Sequence, residues 1–305
     1  MPSPTISYIL LFFGGGILVW NEIRSFFAAA DLNNEPPQIV TVDPARPDAV
    51  NEGQVVHVSG EISAQRFATD PRFPMPGKYL LLRRFVEMQQ WRKLSRRGSA
   101  SSTGFAANGF DLYWSADEID TRADGAPPEQ QNAPMPMKSD GFLAEGLHIG
   151  GFTLPPDVLP ALAKPQQLDP DRQLATTLAA AIPGAEGILD GNWIILATEP
   201  ARRPPLRPSA KPVWAPGTLR VRFEQVSAGQ YSLIARQTQN SLFPFPAPSG
   251  GTHFLARAGT HPPSEIYREA RSKNNFLTWA LRVLGIGTTV YGLLGVLRLR
   301  SQVRR

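Results

Sequence analysis

Two apolar runs, one near each end, constrain this chain more than any other feature, because each approaches the length that crosses a bilayer. The first, ISYILLFFGGGILVW at residues 6–20, covers roughly 22 Å as a helix, short of a hydrocarbon core about 30 Å thick. Extended through Asn21, Glu22 and Arg24 to Phe27 it reaches about 33 Å, with Trp20 at the level where aromatic side chains favour the interface. A cleaved signal sequence is the alternative, since AAA at 28–30 suits a cleavage site. The leading MPSPT, however, has no Lys or Arg, and the charges precede the small residues. A retained helix over residues 6–27 is therefore expected.

The second run, FLTWALRVLGIGTTVYGLLGVL at 276–297, covers about 33 Å and predicts another span. Arg282 lies two turns inside it and is expected to snorkel toward the near interface beside Trp279 rather than face a partner helix. Gly285 and Thr289, and likewise Thr288 and Gly292, stand four apart, the spacing that lets membrane helices approach closely. They are candidates for contact with the GGG of the first run or with a second copy. Arg298, Arg300, Arg304 and Arg305 follow, against an uncharged stub at residues 1–5. Basic residues favour the cytoplasmic side, so residues 298–305 read as a cytoplasmic tail and residues 28–275 as an exoplasmic, periplasmic or luminal, region.

That tail also explains the charge. The formal net charge is +5 with a pI near 9.7, and the four terminal Arg carry most of it, so no basic nucleic-acid surface is implied. Only six of the 31 basic residues are Lys, the bias of a GC-rich, bacterial genome. Cys is absent, which excludes disulfides, cysteine zinc sites, iron-sulfur clusters and a cysteine nucleophile.

The region between the runs reads as strands closed by Gly, Pro, Asn or Asp: IVTV at 39–42, VVHVSG at 55–60, YLLLRRFVEMQQW at 79–91, LHIGGFTL at 147–154, WIILAT at 193–198, LRVRFEQV at 219–226, YSLIAR at 231–236 and HFLARA at 253–258. The expectation is an α+β chain, a β-rich sandwich or barrel-like domain between an N-terminal and a C-terminal transmembrane helix. In LRVRFEQV, Leu219, Val221 and Phe223 alternate with Arg220, Arg222 and Glu224, which predicts a buried face and a solvated one. One soluble helix is marked by Asp169 as cap, Pro170, an apolar face of Leu174, Leu178 and Ile182, and a stop at Pro183 and Gly184. Residues 263–275 predict a second, running directly into the apolar run at 276. The stretches at 95–104, 121–139 and 199–216 are rich in Pro or polar residues and read as unpacked loops.

No P-loop, nucleophile elbow, zincin motif or dinucleotide fingerprint is present. His57, His148, His253 and His261 stand singly, so no metal or other cofactor is expected. Asp111, Asp117, Glu118 and Asp120 cluster near Trp114; they suggest a hydrolase only as a remote alternative, since a loop bearing four acids is usually solvated.

Several segments resemble, in order, the transmembrane protein 43 (LUMA) family. VWNE at 19–22, with Trp20, Asn21 and Glu22, closes the first span as the family's motif does, and NEGQVVHVSGEI at 51–62 resembles its next strand through Asn51, Glu52 and Gly53. RRFVEMQQW at 83–91 is similar through Glu87 and Trp91, FLAEGLHIGGFTL at 142–154 through Gly150, GTLRVRFE at 217–224 through Arg220 and Val221, and TWALRVLG at 278–285 through Trp279, Arg282 and Gly285. LIARQ at 233–237 and PFP followed by SGG extend the series. Thr218 stands where the family has an acidic residue, and QQNAP where it has Asn-Pro. The family continues with further membrane helices beyond the point where this sequence stops, which reads as a short or truncated member.

The resemblance implies a membrane-resident, non-enzymatic protein without catalytic residues, located in the endoplasmic reticulum and inner nuclear membrane of animals or the inner membrane of a bacterium. The expected function is an integral membrane scaffold that organises its membrane by self-association and by binding envelope proteins, with membrane lipids as the other partner and no nucleic acid. The alternative is a lipid-binding protein in membrane lipid homeostasis or stress response, its curled sheet holding an acyl or headgroup ligand.

Overall fold

The computed structural model describes residues 3–33, 39–94, 106–200 and 213–303. The loop read at 95–104, most of the one at 199–216, and Arg304 and Arg305 of the basic tail lie outside the described residues. The chain is α+β, with a β-rich middle between two long apolar helices, as the sequence predicts.

In chain order the elements are α1 (Pro4–Asn33), β1 (Val40–Val42), β2 (Val55–Arg66), β3 (Tyr79–Lys93), β4 (Phe110–Ser115), β5 (Asp140–Leu143), β6 (Glu145–Ile149) and β7 (Phe152–Thr153). Next come α2 (Leu159–Leu162), β8 (Gln166–Gln167), α3 (Arg172–Ala179), β9 (Glu186–Asp190), β10 (Trp193–Ala197), β11 (Leu219–Ser227) and β12 (Gly229–Thr238). The remainder is β13 (Ser241–Phe243), β14 (Phe245–Pro246), β15 (Thr252–His253), β16 (Leu255–Ala258) and α4 (Pro263–Val303). Two compact units result, one from residues 1–62, 148–163 and 229–305, the other from residues 63–147 and 164–228.

In the first unit α1 and α4 pack along their length. Ser7 and Leu11 lie against Gly292, Gly14 against Gly285 and Thr289, and Asn21 against Thr278, so the helices run antiparallel. As residues 263–275 predict, α4 is continuous from its polar start through the apolar run. Its first turns pack Ile266 and Tyr267 against Leu32, Ile234 and Phe245. The sheet runs β1-β2-β6-β7-β13-β12-β16, and a further β2–β12 pairing closes β2, β6, β7, β13 and β12 into a ring. Val56, Val58, Ile62, Ile149, Phe152, Leu233 and Leu242 are buried.

Two predicted strands are each divided. LHIGGFTL is a hairpin of β6 and β7 turned at Gly150, whose φ of 58° is a left-handed conformation that suits glycine. A Cβ there would stand 2.5 Å from the Pro44 carbonyl carbon, so the turn also needs the missing side chain for close approach. HFLARA divides into β15, paired with β14, and β16, paired with β12, because its two halves join different partners.

The second unit is built on an antiparallel sheet of order β4-β3-β11-β10-β9, with β5 beside β3 and β8 beside β11. Leu82, Val86, Met88, Ile194, Leu219, Val221 and Phe223 point into its core, where α3 contributes Ala175 and Leu178. Helix α3 starts later than predicted: the Asp171 side chain, not Asp169, accepts from the Leu174 N–H, 2.7 Å away. It also stops at Ala179, and Ile182 packs on the core from the following turns. The stretch at 121–139 is not the unpacked loop its composition predicts. Met135 and Met137 insert into the core, and Thr121 and Gln130 are buried and bonded to one another, so scattered anchors hold a segment without regular pairing.

Candidate functional site

The interface of α1 with α4 rests on small residues. A Cβ at Gly285 would lie 2.7 Å from Leu18 Cγ, and one at Gly292 would lie 2.5 Å from the Leu11 nitrogen and 2.8 Å from the Ser7 oxygen. Thr289 backs Gly14 while its hydroxyl donates to the Gly285 carbonyl at 2.8 Å. Thr288 instead donates to the Leu284 carbonyl of its own helix at 2.8 Å, and it is Thr289 that meets Gly14. Of the GGG, only Gly14 meets α4; nothing stands within 4 Å of a Cβ at Gly15 or Gly16.

Toward the β-rich end the contact turns polar. Asn21, fully buried, donates to the Thr278 carbonyl at 3.1 Å. Arg24 donates to Asn274 Oδ1 at 2.9 Å, Thr278 Oγ1 at 2.9 Å and Asn21 Oδ1 at 3.4 Å. Arg282 lies over Trp279, 5.0 Å from the ring centroid, and its guanidinium also faces the partner helix, where it binds the Glu22 carboxylate. An acid within reach satisfies the charge better than bare extension toward water. Trp20 and Trp279 remain outward, at 58% and 62% exposure.

The second unit carries another built array. Glu87 on β3 faces Arg220 on β11 in register and accepts from its Nε at 2.8 Å and from its Nη2. The Arg220 guanidinium lies 4.6 Å from the Trp114 ring and 4.4 Å from Trp193, while Arg222 lies 4.1 Å from Phe85 and pairs with Glu224 at 2.7 Å. Arg92 over Tyr113, at 3.9 Å, extends the pattern. Arg220, Arg222 and Glu224 are thus not the freely solvated face predicted from alternation. They are half-buried, because flat aromatic rings and guanidinium planes stack and exclude water between them.

The remaining predicted positions are dispersed. Val221 is core and the Trp91 backbone N–H donates to Asn132 Oδ1 at 2.8 Å. In the first unit Glu52 accepts from the Gln239 N–H at 2.7 Å, Gly53 turns at φ 74° and Asn51 is buried in the preceding 3-10 turn. Asp111 lies buried in β4 rather than in a solvated loop, whereas Asp117, Glu118 and Asp120 are exposed; the four do not converge. The His57 imidazole sits 2.9 Å from the His261 carbonyl, consistent with donation from Nε2, and His261 contacts Glu265 at 2.9 Å. His253 stands 3.5 Å from Asp31, an ion-pair distance without hydrogen-bond geometry. Among the described residues no group of three or more His, Asp or Glu is arranged to hold a metal ion.

Sequence reasoning missed Arg24 with Asn274, and the aromatic members of the stack. The pairing of Glu87 with Arg220 follows from the register of β3 with β11, which the sequence alone does not supply.

The profile of the family described as transmembrane protein 43 matches residues 88–303. The chain belongs to the transmembrane protein 43 family. It is similar to transmembrane protein 43 of Mus musculus and of Homo sapiens, 24% identical to each across 94% of this chain and 71% of theirs. The transmembrane protein 43 homolog of Drosophila melanogaster is 23% identical over 93% of this chain and 73% of its own. No solved structure matches. Family membership and two candidate spans, Thr5–Asn33 and Pro263–Arg298, make this an integral membrane protein.

Proposed function

We propose that the protein is a non-enzymatic membrane scaffold: α1 and α4 hold it in the bilayer, and the β-rich region binds a second copy or envelope proteins. The stack of Trp114, Arg220, Trp193, Arg222 and Phe85 carries this reading. Trp, Tyr and Arg dominate the energetics of protein interfaces, and their held planes lose little entropy on docking. In this reading the β-rich region is periplasmic in a bacterium, or luminal in the endoplasmic reticulum and inner nuclear membrane of a eukaryote, with both termini cytoplasmic. A lipid carried inside the curled sheet is less favoured. A ring of only five strands is narrower than the eight-stranded barrels that just enclose a small ligand, and its side chains fill it.

Native mass spectrometry of the full chain extracted with its surrounding lipid tests the proposal. Discrete multimers or a stoichiometric second protein are expected, and Trp114→Ala with Trp193→Ala should disperse them without removing the protein from the membrane. A parent that is monomeric and alone would overturn the scaffold.

A further inference from the structure

We propose that Arg24 holds the phosphate of a phospholipid headgroup at the membrane surface beside the start of α4. The inference rests on the membrane embedding and not on the scaffold reading.

Depth is the first argument. Trp20 and Trp279 face outward, as interfacial aromatic residues do, and Arg24 stands one helical turn beyond Trp20, near the end of the span at residues 6–27. That places its guanidinium at headgroup level, where phosphodiesters are the abundant anions.

Charge is the second. Every bond given to Arg24 goes to a neutral acceptor: the Asn274 and Asn21 side-chain oxygens and the Thr278 hydroxyl. No carboxylate among the described residues reaches it. Glu22 is taken by Arg282, Asp31 receives the Ser249 amide and hydroxyl, Glu265 binds Arg257 and His261, and Glu269 binds Arg257 and Lys273. These are all the acids of the described α1 and α4. A neutral Gln could bond Asn274 and Thr278, so those contacts make no use of the positive charge.

Chemistry is the third. The guanidinium has five N–H donors in a planar fork; bonds to Asn274, Asn21 and Thr278 fix its plane, Nε is buried, and one Nη1 hydrogen remains for a ligand. The side chain is half-buried, with Nε closed off from solvent, so an anion would meet it at the Nη1 edge. A phosphate oxygen can accept from the remaining Nη1 N–H, a charge-assisted bond held in a fixed plane that a lysine does not reproduce.

The test uses the full chain in nanodiscs of phosphatidylcholine with a minority of phosphatidylglycerol, followed by native mass spectrometry of the lipid retained. The parent should keep one phospholipid, Arg24→Gln should reduce that population about tenfold, the scale of one charge-assisted contact, and Lys273→Gln should match the parent. Equal retention by parent and Arg24→Gln overturns the assignment. A second arm offers inorganic phosphate to the lipid-stripped protein in neutral detergent; displacement of phosphatidylglycerol by phosphate at equal concentration would show a free-phosphate site and overturn the lipid assignment. Should Arg24→Gln fail to fold, the 15N-guanidinium to 31P contact in bilayers decides on the parent, with Arg24→Lys removing the signal. Its absence in the parent overturns the proposal. Loss of multimers alone would leave this result unchanged, so the two readings fail separately.

Discussion

Glu22 and Arg282, 260 positions apart, form a two-pronged ion pair across α1 and α4, with Arg282 Nε 2.7 Å from Oε1 and Nη2 2.8 Å from Oε2. Each would be a costly lone charge near hydrocarbon; together they neutralise one another and fix the helices in register. Replacing Glu22 by Ala should therefore weaken the hairpin more than replacing Glu22 and Arg282 by Ala together. Thermal unfolding of the full chain in lipid gives the comparison, and a double variant weaker than either single one would contradict the pairing.

The glycine contacts make a sharper steric prediction. Gly292→Leu must push its side chain into the α1 backbone at Leu11 and Ser7, whereas Gly15→Leu meets nothing within 4 Å. Overpacking of this kind costs about 1–3 kcal/mol, so Gly292→Leu should lower the melting temperature by several degrees and Gly15→Leu should not. Equal effects would place the interface elsewhere.

Asp70 and Arg84 are an ion pair in the second unit, 1% and 5% exposed, with Arg84 also donating to the Lys138 carbonyl and stacked against Phe73 and Phe142. Asp70→Ala leaves a buried guanidinium uncompensated and should cost about 3–5 kcal/mol, while Asp70→Leu with Arg84→Met should cost much less. Denaturant unfolding of both variants checks the order.

His57 makes stability depend on pH. Burial holds its pKa below the ordinary 6.5, opposed in part by its bond to the His261 carbonyl. The unfolded chain takes up a proton as pH falls through 6.5, and the folded chain does so only at lower pH. Stability is therefore complete above that value and is lost progressively below it, down through the folded pKa. The melting temperature of His57→Asn should fall less steeply than the parent's over that acidic window.

Gly150 joins packing to the family motif. Its positive φ and its approach to Pro44 both exclude a side chain, so Gly150→Ala should destabilise the first unit by more than a surface glycine such as Gly250, where only φ is strained. Parallel melting curves of the two variants decide it.

Much of this was legible in order along the chain. Apolar length marked both spans, strand-forming runs closed by turn residues marked β3 and β12, period-two alternation marked β11, and the motifs around Trp20, Glu87 and Gly150 marked the family. Short strands such as β4, β9 and β13 were not legible, because two to six residues carry little periodicity and their pairing is supplied by neighbours. The cap moved from Asp169 to Asp171 for a similar reason: either carboxylate could begin a helix, and the packing of Leu174 and Leu178 chose the start.

The sequence by itself determined which segments enter the membrane and which faces of the long strands are apolar, since both follow from hydrophobicity counted along a line. Only the tertiary structure decided which charges are shared. It joined Glu22 to Arg282, left Arg24 among neutral acceptors, set Arg220 between Trp114 and Trp193, and buried Met135 and Met137 from a segment that composition alone marks as solvent-facing. Those outcomes depend on distances between residues remote in sequence, and electrostatic and packing energies follow distance in space rather than order along the chain.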